Sequence, residues 1–279
     1  MGYKTILVNC DTSPTTEKRI ELASEIAQKN EAHLVGLFVR ANVVLPAYME
    51  AGIGPDLIVL QEKRGKEQSA AAKAIFERVA QRMGGSYEWR DTGGDVYDQT
   101  SMQARYSDLV VMGQFNPELD DPDIIPDLAE TVMMDSGRPV LVLPYIGVKG
   151  KVMGGHVLVG WNVSREASRA VVDSLPFLKA ASAVTVLAVN PKSGARGHGE
   201  QPGADVAQFL ARHGVKVTAS YTVADDIDAG DALLSRAADV NADMMVLGAY
   251  GHSRLREMVI GGVTRKVLGT MTVPVLFSH

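Results

Sequence analysis

Two pairs of glycines mark the stretch of this chain best suited to chemistry. In "GAYGHSRLREMVIGGVTRKVL", residues 248–268, Gly248 and Gly251 are followed, nine residues on, by Gly261 and Gly262. Bare backbone lets main-chain N–H groups approach a bulky anion closely, and it adopts positive φ without steric cost. The apolar run "DMMVL" ends directly before Gly248, and "GGVTRKVLGTM" reads as the start of a helix. The free N–H groups and the dipole of such a helix start favour phosphate. Thr264 can add a hydroxyl, and Arg254 and Arg256 stand in the intervening segment, either reaching phosphate or simply solvated. A tight turn and a helix start with no ligand would use the same glycines. The spacing is neither the dinucleotide pattern G-x-G-x-x-G nor the Walker pattern G-x-x-x-x-G-K-[ST].

Other reactive side chains carry weaker signals. Cys10 closes an apolar strand and reads as a small core residue before it reads as a reactive thiol. The histidines at 33, 156, 198, 213, 252 and 279 lack metal-ligand spacing, and only His252, beside Gly251, could approach a phosphate. The acidic stretch 118–127 has no calcium-loop pattern and reads as a solvated loop. Ser164 is placed to cap a helix, with no histidine and acid pair to make it a nucleophile. "SGARGHGEQPGAD" is a connector.

The elements that position the glycines occur twice. "KTILVNCDTS" (4–13) pairs with "GHVLVGWNVS" (155–164), "SDLVVMGQF" (107–115) with "ADMMVLGAY" (242–250), and "GRPVLVLP" (137–144) with "TVPVLFS" (272–278). Gly113 and Gly248 stand 135 residues apart, as do Pro139 and Pro274, whereas Asp11 and Asn162 stand 151 apart. The first half is therefore longer ahead of its glycine, with the extra residues placed in the Gly- and Pro-marked stretch "ANVVLPAYMEAGIGPDLIVLQEKRG". In the second half, buried strand runs ("HVLVGW", "AVTVLAVN", "VKVTASYTV", "DMMVLGAY", "PVLFS") alternate with segments of helical period. "SREASRAVVDSLPFLKAA" is one of these, opened by Ser164. This alternation implies parallel strands joined by right-handed crossovers. The expected fold is α/β: two doubly wound domains, 1–147 and 152–279, joined by the glycine- and lysine-bearing linker 145–155. The exposed edges of the last strands, "PVLVLP" and "PVLFS", are expected to pair with each other.

Bulk properties narrow the function. The chain has 279 residues, 46% hydrophobic and 22% charged, with a net charge of −5 and a pI near 5.7. This balance argues against a general nucleic-acid binder. No apolar run is long enough to span a membrane. The opening residues show no leader pattern, and Ile6 breaks a myristoylation signal. One cysteine cannot form an intrachain disulfide and suits a reducing compartment. The expected location is cytoplasmic.

Gly248-x2-Gly251-x9-Gly261 followed by a small residue resembles the ATP-binding signature of universal stress proteins. "ILVNCDTS" and "VLVGWNVSREASRAV" resemble that family's first strand and helix, and the paired halves resemble its tandem members. The resemblance implies a five-stranded parallel sheet per domain (adenine nucleotide alpha hydrolase-like) with pairing through the last strands, and a role in stress survival. It also implies ATP or another adenine nucleotide, with or without Mg²⁺, under the glycine loop. Matched to the motif, Asn162, Val189, Leu247, Gly248, Gly251, Gly261, Gly262, Val263 and Thr264 inherit the nucleotide contacts. Two positions depart from the pattern: Asn162 stands where many ATP-binding members have Asp, and Gly262 where they have Ser or Thr.

Aligned on Gly113, the first half lacks this equipment. Asn116 replaces Gly251, Pro126 replaces Gly261, Asp127 replaces Gly262, and Leu119 and Asp121 replace the two arginines. Proline removes a donor, and carboxylates repel phosphate at close range. Three functions fit these residues. One is a stress-response protein that binds an adenine nucleotide as a ligand and acts through protein partners, with self-association into a dimer. Another is a slow ATPase or adenylyl-transfer enzyme, for which no catalytic base or metal cluster is evident. The third is a dimerising scaffold with no nucleotide.

Overall fold

The computed structural model describes residues 2–41, 55–119, 124–191, 200–224, 226–251 and 262–279. The chain packs as two compact units, one of residues 3–111 with 117–136, the other of 112–116 with 137–279.

The first unit runs β1 (Thr5–Asn9), α1 (Thr16–Asn30), β2 (His33–Ala41), α2 (Pro55–Met83), β3 (Tyr87–Gly94), α3 (Val96–Ala104), the start of β4 (Leu109–Gly113) and α4 (Leu128–Asp135). Its strands lie in the order β3-β2-β1-β4, and each pairing is parallel. The apolar runs of β1 and β4 are buried, as strands covered on both faces require. α1 lies against α2, and α3 against α4.

The second unit contains β5 (Val140–Leu143), β6 (His156–Gly160), α5 (Arg165–Asp173), α6 (Leu175–Ala180) and β7 (Ala183–Val189). It continues through α7 (Ala204–Arg212), β8 (Val217–Thr222), α8 (Ala229–Asp239), β9 (Met244–Gly248), α9 (Gly262–Thr270) and β10 (Val275–Ser278). The strand order is β5-β10-β9-β6-β7-β8. Neighbours in this order pair in parallel except β5 and β10, which run antiparallel with Val142 opposite Val275 and Val140 opposite Phe277. The last strands of the two halves therefore do pair, as expected from their apolar edges. The first half's closing strand packs in the compact unit of the second half.

Two local features show how the repeat is built. Asp108 accepts hydrogen bonds from the backbone N–H of Lys4 (2.7 Å) and Thr5 (3.0 Å), fastening the start of β1 to that of β4. Asp243, its counterpart, accepts from Lys151 (3.2 Å) and His156 (2.7 Å), and so secures the linker's end to the start of β6. The segment after Ser164, expected as one helix, is two: α5 ends at Asp173, and α6 restarts with Pro176 in its first turn. Proline has no N–H to continue the ladder of α5.

Candidate functional site

β9, β6 and β7 are neighbours and parallel, so their carboxyl ends fall on one side of the sheet. This is where open α/β sheets bind ligands. Gly248 ends β9, Gly160 ends β6 and Val189 ends β7.

Gly248 touches the first turn of α5. A Cβ added there would lie 2.5 Å from the Ala167 amide nitrogen and 2.6 Å from the Glu166 carbonyl carbon. Backbone meets backbone, so no side chain fits. Beyond it Ala249 and Tyr250 turn inward, and Tyr250 takes a left-handed φ of 51°. The Tyr250 N–H donates to Thr264 Oγ1 at 3.3 Å. Thr264 is buried in the first turn of α9, so its hydroxyl ties the glycine segment to the helix that follows. Gly262 is exposed at the head of α9, with open space where a Cβ would be, and Val263 is half-buried beside it.

Asn162 lies just past β6 and is exposed. Its Oδ1 accepts from the Ser164 N–H at 3.1 Å, while Ser164 Oγ accepts from the Ala167 N–H at 3.1 Å. Ser164 is thus the helix cap that the sequence suggests, satisfying an otherwise free first-turn donor. Val163, between them, is held at φ 62°. Leu247 is buried and Val189 half-buried, both lining strand ends. The structure therefore gathers Asn162, Val189, Leu247, Gly248, Gly251, Gly262, Val263 and Thr264 around the carboxyl ends of three strands and the starts of α5 and α9. Gly261 lies outside the described residues, as do His252, Arg254 and Arg256.

One residue of the site escapes a reading of the sequence. Glu166, in the first turn of α5, is only 2% exposed. Its Oε1 accepts from Arg165 Nε at 2.6 Å, but its buried Oε2 has no hydrogen-bond partner among the described residues. Oε2 would be 3.6 Å from a Cβ built on Gly251. Burial pushes this carboxyl's pKa up, but the Arg165 hydrogen bond and charge, the residue's own backbone N–H and Ser164 outweigh it and keep it below the usual range. In "VSREAS" Glu166 looks like an ordinary charged helix residue; its burial, with Gly251 near its carboxylate, is a long-range contact.

The corresponding place in the first half is filled by a closed ion pair. Arg19 NH1 and NH2 fork onto the two carboxylate oxygens of Asp11 at 2.8 Å each, and NH2 also donates to Ser13 Oγ and Thr16 Oγ1 at 3.0 Å. The Ser13 N–H (3.0 Å) and the Thr16 hydroxyl also donate to Asp11 Oδ1. Burial raises the Asp11 pKa, yet the Arg19 charge and these hydrogen bonds bring it down to about 2. The preceding thiol, Cys10, is pushed up to about 12 by burial and is inert core. At the head of α4, Asp127 adopts φ 55° and makes no side-chain cap. Among the described residues no group of three His, Cys, Asp or Glu could hold a metal ion, and no helix is long and apolar enough to cross a membrane.

Residues 155–279 match the model of the universal stress protein family. The second half of the chain is thus similar to the universal stress protein family. A 48-residue stretch is 42% identical to universal stress protein Slr1230 of Synechocystis, covering 17% of this chain and 17% of that relative's length. The crystal structure of a universal stress protein from Archaeoglobus fulgidus superposes with a TM-score of 0.73 at 18% identity, over 98% of this chain and 97% of that one. A functionally unknown Pseudomonas aeruginosa protein, PA1789, superposes with a TM-score of 0.58 at 17% identity, over 99% of this chain and 92% of that one. At these identities the structural likenesses speak to the fold, and they span both halves. Within the matched half, the glycine segment and Thr264 occupy the strand ends described above, and Asn162 lies just past the end of β6.

Proposed function

We propose that the universal stress protein domain of this chain, residues 152–279, binds an adenine nucleotide, ATP foremost, at the carboxyl ends of β6, β7 and β9. The first domain, residues 1–147, serves as a scaffold without nucleotide. The observation that carries this reading is the backbone contact of Gly248 with α5, continued by Gly251 and by the exposed, uncrowded Gly262 at the head of α9. That path leaves main-chain donors and a helix start facing the strand ends, an arrangement suited to phosphate. The nucleotide is read as a ligand of a cytoplasmic stress-response protein that acts through protein partners and self-association. Turnover would need an oriented water and a stabilised leaving charge. Asn162 is a neutral, weaker ligand for a hard cation than a carboxylate.

The test begins with mass spectrometry of the gently purified chain for retained AMP, ADP or ATP, followed by calorimetric titration with ATP. Gly251→Val is expected to abolish binding, and Asn116→Val to leave it unchanged; equal loss from both would overturn the asymmetry. A single-turnover assay with labelled ATP and Mg²⁺ is expected to show turnover well below ~1 per second, the lower end of ordinary enzymes.

A further inference from the structure

An anion cradle with a buried carboxylate in its floor presents a conflict of charge. Glu166 is 2% exposed and sits between the backbone of Gly248 and that of Gly251. One of its oxygens is neutralised by Arg165, whose side chain is 77% exposed, and the other has no hydrogen-bond partner among the described residues. A buried polar atom left unpaired is costly, and most such groups in folded proteins have a partner. Here the missing partner lies on the side of the glycine segment. A phosphate brought against these glycines comes within a few ångströms of an ionised carboxylate, where like charges repel strongly. A divalent cation on the phosphates turns that repulsion into attraction, and a carboxylate oxygen is the hard donor such a cation takes.

On the basis of the nucleotide reading above, we propose that Glu166 is the charge selector of this site. Its free oxygen faces the cation of a divalent-metal nucleotide complex, favouring that complex over the bare polyanion. The acidic group that Asn162 does not supply at the end of β6 is then supplied from the first turn of α5. The counterpart of Glu166 in the first half is Thr15, which is uncharged, so the selector belongs to the second half alone.

The experiment is calorimetric titration of the full chain with ATP, once in EDTA and once in excess Mg²⁺, for the wild type, Glu166→Gln and Glu166→Ala. The wild type is expected to bind ATP at least tenfold more tightly with Mg²⁺. Both neutral variants are expected to bind metal-free ATP severalfold more tightly than the wild type does, and to keep less than a threefold Mg²⁺ effect. AMP, with less charge to neutralise, is expected to change by less than threefold throughout. Removing a buried, half-partnered carboxylate relieves its desolvation, so folding is expected to survive in at least one variant. A thermal melt checks this. If the variants bind ATP with an unchanged Mg²⁺ effect, the selector role is overturned and the nucleotide reading stands. If wild type and variants alike fail to bind any adenine nucleotide, both fall together.

Discussion

Asp11 and Asn162 hold the same place in two copies of one unit, yet their surroundings differ. At Asp11, Arg19 reaches back from α1 and closes a fork, with Ser13 and Thr16 completing the shell. At Asn162 the residues matching Thr16 and Arg19 are Ala167 and Ala170, both buried and unable to hydrogen-bond through a side chain. The first half uses its helix start to satisfy its own carboxylate. The second caps its helix start with Ser164 and packs Gly248 against the Ala167 backbone. A duplicated fold can thus keep one strand framework while the same position holds a closed ion pair in one copy and an exposed amide in the other.

The largest expected effect is on the open side. Gly248→Val would drive a β-branched side chain into the Ala167 amide, where even a Cβ sits at 2.5 Å. Backbone must move, and overpacking of this kind costs about 3 kcal/mol. Urea unfolding is expected to report that loss, with ATP binding lost as well. Among the described residues Gly251→Ala meets Glu166 Oε2 at 3.6 Å, an ordinary contact, and is expected to cost under about 1 kcal/mol. If Gly248→Val proves as mild as Gly251→Ala, the close approach of β9 to α5 is wrong.

On the closed side, Arg19→Ala restores the residue type found at Ala170 and leaves Asp11 without its main partner. Removing one member of a buried pair costs about 3–5 kcal/mol. The Asp11 side chain is 24% exposed, which puts the expectation at about 2–3 kcal/mol. The variant is not expected to gain nucleotide binding, because Pro126 and Asp127 still stand where the second half has glycine. Binding of ATP by an isolated first-half site in this variant would show that Arg19 alone closes it.

The same ion pair sets a pH dependence. Asp11 is depressed from 3.8 to about 2, so its contribution is fully present above about pH 4 and disappears as the pH falls through about 2. The shift corresponds to about 2 kcal/mol. Acid unfolding of Asp11→Asn is expected to show a correspondingly shallower loss of stability between about pH 4 and pH 2. Asn162, which does not titrate, contributes nothing to this limb. An identical acid limb in the wild type and the variant would remove Asp11 from the account.

Much of this contrast was legible in the sequence, for particular reasons. Glycine and proline constrain backbone directly, so the spacing of Gly113, Gly248, Pro139 and Pro274 was enough to align the halves, while strand–helix alternation foresaw parallel strands and the apolar edges foresaw paired last strands. The Ser164 cap was legible because capping is local chemistry. Long-range partners were not. Arg19 and Glu166 sit in helices as charged residues do everywhere, and their burial follows from contacts that spacing does not encode. The matching clamps of Asp108 and Asp243 lay inside the quoted repeat, but an aspartate ahead of a strand reads equally well as a turn. The break at Pro176 was missed, because the helical spacing runs through it, although proline is tolerated in a first turn and not inside a helix.

The smallest expected effect separates the two helix entries by backbone alone. Val163 follows Asn162 with φ at 62°, a conformation that costs a β-branched residue on the order of 1–3 kcal/mol. Its side chain is 42% exposed, so little packing repays that strain. Thr12, which follows Asp11, is not among the residues with positive φ. Glycine at 163 would relieve the strain but enlarge the unfolded ensemble, an opposing term of up to about 1 kcal/mol. Val163→Gly is therefore expected to stabilise the chain by roughly 1 kcal/mol, net of that term. Thr12→Gly, with no strain to relieve, is expected to destabilise it by about 0.5–1 kcal/mol. Chemical unfolding of the two variants side by side decides the matter through the sign of the difference. If both glycines weaken the fold equally, the left-handed turn at Val163 carries no strain and the two helix entries share one backbone path.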